Sequence, residues 1–324
     1  MYGLTISGPR NHGQPPEITK LSGGLFFYRE RRSSGTHPAK ALGPASERLG
    51  AVILAMIKTR CGFCESAIAK ITNEHIYGKW VGALFGAGRG RLQVHHTLTR
   101  EGDFARAWNA YRLDQQVRMA CRACNNGWMN DLETKVRPII TPMIVPMVVG
   151  QQRVTLDLQS RLLVATWAVK TAMVGEFLAQ PHQRYFMQDE RRAVMEGEIF
   201  RVPGARVWIG CFANTNEGAK GIMGGLTHED RVVAGHVTVF ALGQFVVQVF
   251  VERRTAGYHG PLAVGPGPWE RLLIEIWPPD MRSVNKEDLT VWPPPLAFAD
   301  DDALGALFDR FFTFGTRPLP LSLR

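Results

Sequence analysis

Two Cys-x-x-Cys pairs, Cys61-Gly-Phe-Cys64 and Cys121-Arg-Ala-Cys124, constrain this chain more than any other feature. Each pair closes one edge of a tetrahedron, so four thiolates complete a zinc site whatever the length of chain between the pairs. Five cysteines in 324 residues are too few for a disulfide framework, and metal ligation in a reducing compartment is the expected use. A four-sulfur site keeps no open coordination position. The expected zinc is therefore structural, and chemistry has to come from other side chains near it. The fifth cysteine, Cys211, lies in the strand-like run Val207-Trp-Ile-Gly-Cys-Phe212 and reads as a buried apolar residue.

The segment around the pairs, residues 56–140, reads as one small unit. Short strands are expected at Thr72–Ile76 and Gln115–Ala120, separated by a long insert. After Cys124, Asn125 is placed to cap a helix whose Trp128, Leu132 and Val136 share a face, and Pro138 is expected to end it. The first strand carries Thr72-Asn-Glu-His-Ile76, which puts a carboxylate and an imidazole side by side between the two knuckles. A neutral imidazole can take a proton from water near neutral pH, and hard oxygen ligands suit Mg²⁺.

The order Cys-x-x-Cys, Glu74-His75, Cys-x-x-Cys-Asn125 resembles the zinc-containing HNH, or ββα-metal, endonuclease family over Cys61 to Lys135. The resemblance implies a ββα-metal module in which His75 is the general base. It also implies that Glu74 and Asn125 hold a catalytic divalent cation, Mg²⁺ or a similar ion, while zinc on Cys61, Cys64, Cys121 and Cys124 fixes the frame. Glu74 stands where that family more usually has Asp, Gln116 where it has the Asn that braces the His-bearing loop, and Asn125 where it often has His. Asn126 is the alternative register for the last ligand.

The activity so implied is metal-dependent hydrolysis of phosphodiester bonds in DNA. The competing reading is a zinc-stabilised module that binds nucleic acid or protein without cutting. A formal charge of +9 favours a polyanionic partner. Residues 1–60, however, hold nine Lys/Arg against three Asp/Glu, so much of that charge precedes the first cysteine. In the insert, Gly86-Ala-Gly-Arg-Gly-Arg91 offers Arg89 and Arg91 as phosphate contacts, whereas neighbours His95 and His96 would point to opposite faces of a strand.

Residues 1–55 mix turn formers and bases without periodicity and read as a disordered basic arm. From about residue 150 to 324 a separate α+β domain with mainly antiparallel strands is expected. It opens with an amphipathic helix over Leu158–Leu178 that offers Leu162, Trp167, Val169, Met173 and Phe177 for burial. Strands follow at Val207–Cys211, His236–Ala241, Phe245–Val251 and Arg271–Trp277, with Leu242-Gly243-Gln244 as a hairpin link. Trp292-Pro-Pro-Pro-Leu296 reads as a connector to a short helix over Ala303–Phe314. No apolar run is long enough to span a bilayer or to form a secretory signal, so a cytoplasmic protein is expected, of unread oligomeric state.

Overall fold

The computed structural model describes residues 25–28, 60–67, 70–85, 91–97, 104–111, 115–145, 153–178, 181, 184–213, 219–227, 233–254, 267–279 and 289–311. In chain order the elements begin with β1 (Leu25–Tyr28), β2 (Ile71–His75), α1 (Lys79–Leu84), β3 (Arg91–Thr97), β4 (Phe104–Tyr111) and β5 (Gln116–Cys121). They continue with α2 (Asn130–Ile144), β6 (Val154–Leu156), α3 (Leu158–Gly175), α4 (Gln188–Met195), β7 (Ala205–Cys211), β8 (Ala219–Thr227), β9 (Val233–Leu242) and β10 (Phe245–Arg254). The last are α5 (Trp269–Leu272), β11 (Leu273–Trp277), β12 (Thr290–Trp292) and α6 (Asp301–Asp309). The architecture is α+β, and the described strands pair antiparallel except where β1 lies parallel to β8.

Alternation along β7, β9 and β10 builds a six-stranded sheet, in the order β1-β8-β9-β10-β7-β11, that is covered on both faces. Val207, Ile209, Phe240, Val247, Val249 and Val251 look to one side. Trp208, Val237, Val239, Val246 and Phe250 look to the other, where α6 lays Ala303, Leu304, Leu307 and Phe308 against them. This split follows from the period of two along a strand, which sends successive side chains to opposite faces. Cys211 is buried as expected, and burial pushes its thiol up to about 11.

Helix α3 differs from its expected form. It is buried almost all round, including Arg161, Thr166, Lys170 and Thr171, because it runs between the sheet and the cysteine-bearing unit. Trp167 on this helix packs edge-on to Phe240 of the sheet at 5.7 Å between ring centroids, and Phe240 also meets Tyr77 at 5.6 Å. Cys61, Phe63, Met119, Trp167 and Phe240 thus belong to one continuous apolar cluster.

Pro138 does not end the helix after the second knuckle. An irregular turn over Arg122–Met129, broken at Gly127, leads into α2, which runs on to Ile144 with Pro138 and Pro142 inside. Pro138 is exposed, so its missing N–H falls on the solvent side, while burial of Leu132, Val136, Ile140, Met143 and Ile144 holds the other face. Arg271 and Leu272 close α5 before the expected strand begins at Leu273, and α6 ends at Asp309. Strand β8 was not foreseen, nor was β1, which lies within the segment read as a disordered arm. The rest of that arm and Arg89 lie outside the described residues.

The end of α2 rests on the β9–β10 hairpin. Phe245 pairs with Leu242 across the two residues Gly243 and Gln244, and the Gln244 N–H donates to the Ile144 carbonyl at 3.3 Å. Gly243 has φ of +54°, and a Cβ there would fall 2.2 Å from the Ile144 oxygen. Left-handed backbone and backbone contact together require glycine here. Gly243→Ala should lower unfolding free energy by about 1–3 kcal/mol in chemical denaturation, without changing zinc content; an unchanged midpoint would refute this docking.

Candidate functional site

Four cysteines reach one point from two directions. Cys61 and Cys64 flank the first knuckle, Cys121 is the last residue of β5, and Cys124 lies one helical turn beyond it. Their sulfurs all lie within 4.8 Å of one another, and Cys64 Sγ is 3.7 Å from Cys121 Sγ. Tetrahedral zinc with bonds of about 2.3 Å needs sulfurs roughly 3.8 Å apart, so the donor set fits zinc. Backbone amides support the charge: Cys121 N donates to Cys61 Sγ at 3.2 Å, and Cys124 N to Cys121 Sγ at 3.5 Å. Hydrogen bonding from the Cys124 thiol holds Cys61 down at about 4, and the same interaction pushes Cys124 above the thiol range. Glu65 closes the knuckle with φ of 57°, and Arg192 binds its carboxylate at 3.0 Å. Trp128 packs edge-on to Phe63 at 4.9 Å, which fastens the second knuckle to the first.

The knuckles hold β2 and β5 together as an antiparallel ribbon. Cross-strand partners share a face, so His75 with Gln116 and Asn73 with Arg118 look outward, while Glu74 with Val117 looks into the protein. His75 is half-buried, and its Nε2 lies 2.9 Å from Gln116 Nε2. A neutral ring accepts from that amide at Nε2. With the amide turned over, its oxygen accepts from Nε2–H, and the lone pair then sits on Nδ1. Gln116 therefore orients the imidazole in the place where the resemblance expects a bracing amide.

Asn125 has a structural contact besides the role expected of it. Its Nδ2 donates to Thr72 Oγ1 and to the Asn73 carbonyl, both at 3.1 Å, and this ties the turn after the second knuckle to β2. Arg91 opens β3, where His95 and His96 also lie, and Asn126 is exposed.

Glu74 points into the protein and meets Lys170 of α3. Lys170 Nζ lies 3.3 Å from Glu74 Oε1 and 2.8 Å from Glu133 Oε1 of α2, with the lysine side chain wholly buried. Burial raises the Glu74 carboxyl, Lys170 pulls it back, and Glu133 adds to the rise. Burial also works against the ammonium of Lys170, but the charges of Glu133 and Glu74 outweigh it and keep the amine above its ordinary value. The Glu133 carboxylate lies under the turn that follows β2, where a Cβ on Gly78 would meet its Oε2 at 2.0 Å.

The divalent cation implied at Glu74 and Asn125 does not fit the surroundings of Glu74. The Glu74 carboxylate is buried on an ammonium, while the Asn125 amide is tied to β2 through its nitrogen. Among the described residues, the four cysteines are the only group of three or more His, Cys, Asp or Glu side chains placed to share a metal ion. Reading the sequence missed Arg118 and Lys170. Lys170 had a signal, a lone charge in the apolar stretch Trp167-Ala-Val-Lys-Thr-Ala-Met173, whereas Arg118 needed the register of β2 against β5.

Zinc binding by the four cysteines is open to a direct check. The purified chain should contain one zinc, and Cys121→Ser should lose it together with the near-ultraviolet signal of the packed Trp128, because metal binding and folding of such a unit are one event. A folded wild-type protein without zinc would refute the centre. No family model, no curated protein and no solved structure matches the chain.

Proposed function

We propose that the chain hydrolyses phosphodiester bonds in DNA as an HNH-type nuclease, with His75 as the general base. One observation carries this reading: the ribbon of β2 and β5, stapled by four cysteines and followed by α2, presents His75 half-exposed against Gln116. Gln116 fixes the ring, and in the tautomer with hydrogen on Nε2 the Nδ1 lone pair takes the proton from the attacking water. Arg118, on the same outer face, supplies the positive charge that draws a phosphate beside the ring. Asn125 and the four-cysteine centre hold β2 still. The overall charge of +9 suits a polyanion, although its share in residues 1–60 leaves the recognition to local groups such as Arg118.

The second reading, a module that binds without cutting, is favoured by one observation, the capture of Glu74 by Lys170. Plasmid DNA separates the two. His75→Ala should reduce cleavage by at least about a hundredfold while leaving zinc content and DNA affinity unchanged. Cleavage that is equal in wild type and variant would overturn the role of His75. Binding without cleavage by the wild type would establish the second reading.

A further inference from the structure

We infer that the cation serving Glu74 is the ammonium of Lys170, and that Glu74 is a positioning residue on the back of the His75 strand, not a ligand of a divalent ion. This rests on the nuclease reading only in assigning His75 its task.

The argument begins with the carboxylate. Glu74 is 6% exposed, on the inward side of a two-stranded ribbon whose outward side carries His75. Mg²⁺ takes near-octahedral oxygen ligands at about 2.0–2.1 Å and keeps several waters among them. A side chain so enclosed has too little solvent face for such a shell to stand on. Lys170 supplies what the carboxylate needs without water, since its Nζ donates at 3.3 Å to Glu74 and at 2.8 Å to Glu133. A dication on Glu74 would also have to sit against that buried ammonium.

The position of Lys170 gives the contact its consequence. Glu74 belongs to β2, Glu133 to α2 and Lys170 to α3, so one ammonium joins the His75 strand, the helix that follows the second knuckle, and the helix that lies under the sheet. Displacement of Lys170 by a metal ion would break that junction. The same chemistry predicts what its removal exposes, namely two facing carboxylates with no counter-charge, a pair to which a divalent ion can bind.

Titration of the zinc-loaded full chain with Mn²⁺, read from the resonance signal of the free aquo ion, tests this. Wild type should bind no Mn²⁺ that Glu74→Gln removes. Lys170→Met should gain a site at least ten times tighter than any in wild type, and adding Glu74→Gln should abolish it. Lys170→Arg, which keeps a cation in place, should gain none. A wild-type site lost in Glu74→Gln overturns the inference, as does a folded Lys170→Met that binds no more Mn²⁺ than wild type. Should Lys170→Met fail to fold, wild type against Glu74→Gln decides alone. The titration reads no cleavage, so failure to cut DNA counts against the nuclease reading only, and a Mn²⁺ ion on Glu74 against this inference only.

Discussion

The convergence of four thiol groups is the constraint on which the rest of the candidate site depends. Strands of 5 and 6 residues, drawn from either side of a long insert, do not hold together as an isolated pair in water. Closing that insert costs loop entropy that grows only slowly with its length, and zinc held by the four thiolates would contribute on the order of 10–16 kcal/mol, far more than that cost. The staple acts at one end of the ribbon, where Ile71 pairs with Cys121. His75 lies at the other end, so its position depends on rigidity transmitted along the strands. Asn125 adds to that rigidity by binding Thr72 and Asn73, midway between the thiolates and the imidazole.

Lys170 extends the same rigidity to the large sheet. Burying an ammonium between carboxylates is expensive to begin with, and removing one partner of such a group typically costs about 3–5 kcal/mol because the other charges are left without compensation. The junction is therefore more informative about specificity of docking than about net stability. It also sets the electrostatics behind β2. A dication about 4 Å from a fixed ammonium would meet a repulsion on the order of 8 kcal/mol at an effective dielectric of 20. This is the physical reason why a residue expected to gather a metal is here held by a lysine instead.

Local chemistry made the ribbon, the knuckles and the α+β class legible in the sequence, because each rests on spacing within a few residues. The hairpin at Leu242-Gly243-Gln244 was legible for the same reason. Strand β8 was not, since Ala219-Lys-Gly-Ile-Met-Gly-Gly-Leu-Thr227 has three glycines and no sustained alternation, and its strand character comes from pairing with β9. Pro138 looked like a stop because propensity is a local rule, while the buried face of α2 is a tertiary fact. Helix α3 looked one-sided for a like reason: its polar positions Thr166, Lys170 and Thr171 are covered by elements that sequence spacing does not bring near. Within the site, His75 and the cysteines were found from motif order. The partner of Glu74 lies 96 residues away in sequence, and no local pattern could have named it.

The alternation of a strand also explains how one short ribbon can serve two purposes. Glu74 is spent on the inside, where it fastens β2 to α2 and α3 through Lys170. Asn73 and His75, on the outside, are thereby held in fixed register against Arg118 and Gln116. On such a face diagonal neighbours are separated by roughly 7–8 Å between Cα atoms, so Arg118 and His75 are near neighbours on one side of the ribbon. A phosphodiester drawn to Arg118 would then lie next to the imidazole that Gln116 orients. The buried ammonium anchors the strand, and in the proposed reading the exposed guanidinium would meet the phosphate.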